Sequence, residues 1–161
     1  MMSNEQTYSM PEKEPINIHL LMSQAYFVYF LAFVLGLIVE TFLKIKIGGL
    51  LLNQIGLIVI VLATLIMYWA QTVNKTPRYK EDGTKDFSRG PYKYSRNPTQ
   101  TGLFLLVLGA GFMINSYSVI IFAILALVFS IMTVIPKEEK RHIRKYKEAY
   151  IGYMKKTRRI I

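Results

Sequence analysis

The sequence predicts an all-α membrane protein: a multi-pass transmembrane helical bundle of about four spans, the last two forming a hairpin, with a C-terminal amphipathic cytoplasmic helix. Two observations lead to this prediction. Hydrophobic residues make up 52% of the 161 residues. The charged residues are segregated from four uncharged apolar runs, three of which reach the roughly 18 residues that a membrane span needs. These runs are residues 20–39, 50–70, 101–114 and 117–135.

The chain divides into three predicted parts. Residues 1–17 are polar and proline-containing, and we expect them to be mobile. Residues 18–73 carry spans 1 and 2, which are joined by a short connection with a Gly48-Gly49 turn signal. Residues 74–161 hold a long charged loop, the hairpin of spans 3 and 4, and the C-terminal helix. Span 3 is short, so a buried or re-entrant helix is as consistent with it as a full crossing.

Three features delimit span 3 and the segment that follows the hairpin. Asn97 and Pro98 suit the N-cap and first position of a helix, and Gln100 stands where a capping box would place it. The glycines of span 3 give it a thin side for close helix packing. Pro136 is expected to break or kink the chain at the cytoplasmic surface.

Composition excludes several kinds of chemistry. The chain has no cysteine, which rules out disulfides, thiolate nucleophiles and cysteine-based metal sites. It has only two histidines, so we expect no metal site.

The net charge of +10 is unevenly placed. With four spans, eighteen of the twenty lysines and arginines fall on one side of the membrane. The positive-inside rule then puts both termini and the central loop in the cytoplasm, at the plasma membrane of a prokaryote or the endoplasmic reticulum of a eukaryote. The expected partner of this charge is the surface of the lipid bilayer rather than nucleic acid.

Two polar clusters are expected to meet at the cytoplasmic face, because the start of span 3 and the end of span 4 are neighbours in an antiparallel hairpin. One cluster covers residues 92–100 and the other is Glu138-Glu139. A helix N-terminus with Arg96 beside it favours an anion, while carboxylates and the ring of Tyr92 favour a cation. A ligand that carries a carboxylate, ribose hydroxyls and a positive centre, such as S-adenosylmethionine, would use all of these groups.

Each group also has a purely structural interpretation. In that interpretation, Asn97, Pro98 and Gln100 serve only as a helix cap, and Arg96 contacts lipid phosphates. The two glutamates stand in a first helical turn, where acidic residues are favoured in any case. The joint occurrence of both clusters is what favours a ligand site.

The two clusters resemble the signatures of a known family. The pattern Gly-Pro-Tyr-x-x-x-Arg-Asn-Pro-x-x-x-Gly over residues 90–102 resembles the first signature of the isoprenylcysteine carboxyl methyltransferase and phospholipid methyltransferase superfamily. The second signature is a glutamate pair followed by aromatics. It is matched here by Glu138-Glu139, Tyr146, Tyr150, Tyr153 and the basic end Arg158-Arg159. The resemblance covers residues 75–161.

The resemblance implies an integral membrane methyltransferase that uses S-adenosylmethionine and acts on a lipophilic acceptor, such as an isoprenylcysteine carboxylate, a phospholipid amine or another small lipophile. Residues 84–87 of the loop are implied to line the cofactor site as well. The candidate cofactor-binding residues are Phe87, Tyr92, Arg96, Asn97, Pro98, Thr99, Gln100, Glu138 and Glu139. No catalytic nucleophile is expected, and Glu138 or Glu139 would be the base if the acceptor were an amine or thiol.

The sequence departs from the family pattern at several positions. Gln100 replaces the usual tyrosine, His142 a leucine, and Tyr146-Lys147 a Phe-Gly pair. A basic residue that precedes the glutamate pair in the prenylcysteine enzymes has no match near Val134. Two alternative functions stay open: a related membrane reductase with a nicotinamide cofactor, and a non-enzymatic membrane interaction protein whose basic tail docks on lipid.

Overall fold

A computed structural model describes residues 18–44, 48–76, 78–79 and 85–160. In these ranges the chain is helical without a strand, so the all-α prediction is confirmed there. The expected mobility of residues 1–17 concerns residues outside these ranges. The five α-helices are α1 (Ile18–Leu43), α2 (Leu50–Lys75), α3 (Pro98–Met113), α4 (Tyr117–Phe129) and α5 (Ile135–Lys156). A 3-10 turn (Gly90–Lys93) precedes α3, and a π-helical turn (Ser130–Val134) joins α4 to α5.

Among the described residues, three helical segments are long and apolar enough to cross a membrane: Ser23–Leu43, Leu50–Lys75 and the continuous segment Tyr117–Lys156. The protein is therefore an integral membrane protein. The uncharged part of the last segment covers residues 117–135, so Glu138 lies beyond it. Helix α3 has 16 residues, which corresponds to about 24 Å of helix. This is shorter than the roughly 30 Å of a hydrocarbon core, so α3 relies on its neighbours for much of its burial.

The helices pack in the order α2, α3, α4, α1, and the predicted hairpin of α3 and α4 is confirmed. Glycines set the closest contacts. A Cβ atom added to Gly56 of α2 would lie 2.5 Å from the backbone nitrogen of Met113 and 2.6 Å from the carbonyl oxygen of Gly109, both in α3. A Cβ atom added to Gly36 of α1 would lie 2.8 Å from Cα of Val119 in α4. The backbones approach so closely that no larger residue fits at these positions.

Gly56→Ala is expected to destabilise the bundle by roughly 1–3 kcal/mol, because the added methyl group meets backbone atoms that cannot move aside. The measurement is the thermal midpoint of unfolding in detergent. Gly152→Ala is the matched control, since a Cβ atom there meets nothing within 4 Å. We expect the control to be neutral or stabilising, and equal midpoints for the two variants would contradict the packing argument.

Side chains hold the α3–α4 turn at the end of the bundle opposite the glutamate pair. Asn115 has a φ of 55° and donates a hydrogen bond to Asn53 of α2. Ser116 caps α4 by accepting from the backbone N–H of Val119, and it donates to Oε2 of Glu40 in α1 over 2.7 Å. The turn is thus tied to both helices that flank the hairpin.

The chain does not break at Pro136, so that part of the prediction is wrong; a kink there stays a prediction. The helix runs on through Pro136 because proline stands in the first turn of α5, directly after a π-helical turn whose hydrogen-bond pattern differs from that of an α-helix. A further kink lies at Lys147, whose φ of 46° and ψ of −125° are not helical. The predicted amphipathic character is confirmed: Tyr150 and Tyr153 are buried, and the lysines of α5 are exposed.

Lys147→Gly is expected to stabilise the protein by about 1 kcal/mol. A left-handed φ strains any residue with a Cβ atom, and glycine removes that strain at some cost in chain entropy. Lys147 is also the position where the resembled family has glycine. The check is the thermal midpoint, with Lys140→Gly as the control. Lys140 has ordinary helical geometry, so its replacement should destabilise by about 1 kcal/mol. A lower midpoint for Lys147→Gly would contradict the strain argument.

Candidate functional site

The start of α3 forms the floor of the candidate site. Asn97 takes the predicted N-cap position, and its carbonyl accepts from the backbone N–H of Thr101 at 3.2 Å. Its side chain does not cap the helix, however. The amide nitrogen donates instead to the carbonyl oxygen of Arg159 at 2.9 Å. The predicted capping box is wrong as well, because neither amide atom of Gln100 makes a hydrogen bond. Pro98 is buried beneath these residues at the first helical position.

Gln100 and Glu138 face each other between α3 and α5. Gln100 is only 2% exposed, yet both its amide oxygen and its amide nitrogen lack a hydrogen-bond partner. Its amide lies close enough to Glu138 to lower that residue's pKa, without reaching the geometry of an ordinary hydrogen bond. Burial outweighs this effect and raises the pKa of Glu138 to about 7, against the opposing influence of Arg141. A buried amide without partners beside a poised carboxyl is typical of a site that a ligand completes.

Tyr92 closes the site from the loop side. Its hydroxyl accepts a hydrogen bond from Nδ2 of Asn74 at 2.6 Å and lies beside Thr99. Its carbonyl accepts from the hydroxyl of Tyr153 at 2.6 Å, which joins the 3-10 turn to α5. Burial raises the pKa of Tyr92, and the nearby charge of Glu138 adds to this effect. The Tyr92 hydroxyl therefore stays protonated and can donate to a ligand.

Glu139 has a different environment from Glu138. It is 4% exposed and forms ion pairs with two guanidinium groups: Nη2 of Arg159 donates to Oε2 at 2.9 Å, and Nη1 of Arg96 lies 3.1 Å from Oε1 without a hydrogen bond. Nε of Arg96 is buried without a hydrogen-bond partner. Of the two glutamates, Glu139 is thus occupied by the protein itself, while Glu138 faces the site.

Aromatic rings form a second wall. Phe87 makes edge contacts with Tyr146 and Tyr150, at centroid distances of 4.8 Å and 5.3 Å, and stacks on Tyr153 at 5.6 Å. Nζ of Lys85 lies 5.5 Å from the centre of the Phe87 ring. The loop thereby packs on α5 on both sides of the kink at Lys147. Thr84, implied by the resemblance to line the site, lies outside the described residues.

An apolar groove of about 590 Å³ runs between α1 and α3. Phenylalanines of α1 and aliphatic residues of α3 line most of it, among them Phe27, Phe30, Phe33, Leu103, Val107 and Ala110. Ser23 and Tyr26 also line it, and Tyr26 connects it to the polar site. The Tyr26 hydroxyl accepts from Nε2 of Gln71 at 3.3 Å, and Tyr26 is close enough to Tyr92 to raise its pKa.

Most of the candidate residues predicted from sequence lie in one region. They form two groups: residues that surround the site and residues that make contacts within the protein. Gln100, Glu138, Tyr92 and Thr99 surround the site. The side chains of Arg96, Asn97 and Glu139 make contacts with one another or with the C-terminal tail, and Phe87 lies in the aromatic wall. Sequence reasoning missed Asn74 and Tyr26, because an asparagine at a helix end and a tyrosine at a membrane interface have common structural explanations.

These observations define a class of protein: an integral membrane helical bundle with a polar candidate site at one end and an apolar groove leading from it. The model of the phospholipid methyltransferase family matches residues 46–149. The chain belongs to this family, and membership indicates methyl transfer on a lipid-type substrate. Comparison with curated proteins and with solved structures gave no match.

Proposed function

We propose that the protein transfers a methyl group from S-adenosylmethionine to a lipophilic acceptor that reaches the site from the membrane. The observation that carries the proposal is the unpartnered, almost fully buried amide of Gln100 facing the carboxyl of Glu138 at the start of α3. Membership of the phospholipid methyltransferase family supports the reaction type.

The residues present fit this cofactor. The ionised carboxylate of Glu138 attracts its positive charge, and the Gln100 amide can accept from and donate to its hydroxyl, amine and carboxylate groups. Nη1 of Arg141 is buried without a partner and offers a donor to an anion. The free N–H groups at the start of α3 favour an anion as well. The site thus combines a group that binds a cation with groups that bind an anion, as a zwitterionic ligand requires.

The groove between α1 and α3 suits the apolar part of an acceptor. It is lined almost entirely by apolar and aromatic side chains, and it reaches the site at Tyr26. The acceptor would enter along α1 from the bilayer, while the cofactor would enter from the water on the basic side. The distribution of lysine and arginine supports a cytoplasmic location for that side.

The reaction needs no nucleophile from the protein, whose residues mainly orient the two reactants. S-adenosylmethionine, when bound, supplies a methyl group that is already activated on a sulfonium. Tyr92, Gln100 and Glu138 orient the donor and acceptor, which accounts for much of the rate when reacting atoms are held in line. If the acceptor is an amine or a thiol, Glu138 is placed to take its proton, since its pKa of about 7 suits a base near neutral pH.

Direct binding tests the cofactor. Purified protein in nanodiscs is titrated with S-adenosylmethionine and, separately, with NADPH. Saturable binding of S-adenosylmethionine alone is the expected result, followed by transfer of a labelled methyl group to components of a membrane lipid extract. Binding of NADPH instead would favour the reductase alternative. If the folded protein binds neither S-adenosylmethionine nor NADPH, the result would favour the alternative of a non-enzymatic membrane interaction protein.

A further inference from the structure

We propose that Arg159 is a positioning residue of the cofactor site: through its guanidinium and its carbonyl it fastens the C-terminal tail across the start of α3 and holds Glu139 and Asn97 in place. The inference rests on the proposed function, since it concerns the same site. The tail is defined here as residues 157–160, which follow α5.

The tail lies alongside the segment that leads into α3. Ser95 and Arg158 form a parallel β-bridge, and the backbone N–H of Arg96 donates to the carbonyl of Arg158 at 2.9 Å. The next tail carbonyl, that of Arg159, accepts from Nδ2 of Asn97 at 2.9 Å. Two consecutive tail carbonyls are therefore bound by two consecutive residues at the N-terminus of α3.

The side chain of Arg159 closes a ring of contacts. Nη2 of Arg159 donates to Oε2 of Glu139 at 2.9 Å, and Arg96 contacts the other carboxylate oxygen of Glu139. Tail, α3 start and α5 are thus joined through a single buried carboxylate. Glu139 and Arg96 are 5% and 10% exposed in their side chains, but Arg159 is 44% exposed. Arg159 can therefore be replaced without burying a new group.

The ring of contacts has two consequences for the site. It fixes the orientation of the α3 N-terminus relative to α5, and hence the distance across which Gln100 and Glu138 face each other. It also sets a positive charge against Glu139, whose negative charge contributes to raising the pKa of its neighbour Glu138. Arg159 acts on the cofactor through these groups rather than by contact.

The test compares Arg159→Ala and Arg159→Lys with the parent protein in nanodiscs. Two quantities are measured: the dissociation constant of S-adenosylmethionine between pH 6 and pH 9, and hydrogen exchange at the backbone N–H of Arg96. Arg159→Ala is expected to weaken binding by about tenfold, the factor that corresponds to one charge-assisted hydrogen bond. Exchange at Arg96 should become faster, because the tail loses its side-chain anchor to Glu139 and keeps only its backbone hydrogen bonds.

The pH dependence of the dissociation constant distinguishes a positioning role of Arg159 from a general loss of structure. In Arg159→Ala the charge of Glu139 is balanced by Arg96 alone, so the pH at which binding is half-maximal should move upward. The other charged and titratable groups near Glu138 are Arg141 and the hydroxyls of Tyr92 and Tyr150, and all of these are unchanged. Arg159→Lys keeps the charge and should restore most of the affinity and the parent midpoint.

Lys156→Ala is the matched control. It removes one positive charge from an exposed residue at the end of α5, and we expect affinity, pH midpoint and amide exchange to match those of the parent. The inference is overturned if Arg159→Ala binds as the parent does, or if Lys156→Ala shows the same loss. If the parent itself binds no S-adenosylmethionine, the proposed function fails and the role of Arg159 fails with it.

Discussion

Under the proposed function, Glu138→Gln is expected to weaken the binding of S-adenosylmethionine by at least about tenfold, since it removes the carboxylate that would attract the positive charge of the ligand. The variant should still insert and fold, because glutamine has the same shape. The pH dependence is the sharper prediction. The carboxyl pKa of about 7 means that the parent binds more tightly as the pH rises from 6 to 8. In Glu138→Gln this dependence should disappear.

The same carboxyl predicts that the stability of the ligand-free protein falls as the pH rises, opposite to the pH dependence of ligand binding. Its pKa is raised from 4.5 to about 7 in the folded protein, so its favourable contribution is fully present below pH 4.5 and is lost as the pH rises through 7. Above pH 7, Glu138→Gln should therefore be more stable than the ligand-free parent, by up to about 3 kcal/mol. Thermal midpoints at pH 5 and pH 8 measure this difference. A less stable variant at pH 8 would show that Glu138 has a structural role instead.

Glu139→Gln is expected to have the opposite profile, with a large loss of stability. Glu139 is 4% exposed and balances Arg96 and Arg159. Removing one partner of a buried ion pair leaves a charge without compensation, which costs about 3–5 kcal/mol. The thermal midpoint of the ligand-free protein measures this effect.

Glu148→Gln provides the control for Glu139→Gln, because it makes the same chemical change at an exposed position of α5. Its midpoint should stay within the experimental error of the parent value. If Glu139→Gln were as stable as the control, the two arginines would be held by other contacts and the pair would carry little of the stability. The contrast between Glu138 and Glu139 is thus open to direct measurement.

The helical architecture was predictable from sequence because membrane spans are specified by length and by the absence of charge. The long apolar runs appear as α1, α2 and α4, and the Asn115-Ser116 turn joins the predicted hairpin. The wrongly predicted break at Pro136 has a local cause. Proline disrupts a helix interior because it lacks an N–H donor and because its ring clashes with the carbonyl of the preceding turn, and the π-helical turn at Ser130–Val134 alters the bonding of that turn. A single proline does not reveal such a turn.

The location of the candidate site was predictable from the sequence. Which of its residues face the site and which are paired with other protein groups was not. Topology alone brings the start of α3 next to the end of the α4 segment, which is why the sequence could predict that Tyr92, Gln100 and Glu138 lie near one another. Which glutamate is occupied by arginine depends on where the tail folds back, and no local pattern determines that. The kink at Lys147 was missed for a similar reason, since lysine has no preference for a positive φ.

The raised pKa of the Glu138 carboxyl would make binding of the proposed cofactor a proton-coupled event. With a pKa of about 7, this group exchanges between its protonated and ionised forms near neutral pH. A cationic ligand favours the ionised form, so its arrival should release part of a proton per molecule into the solvent. Calorimetric titration in buffers of different ionisation enthalpy would register this release as a buffer-dependent heat. The cofactor's apparent affinity would then follow the acidity of the compartment that supplies it.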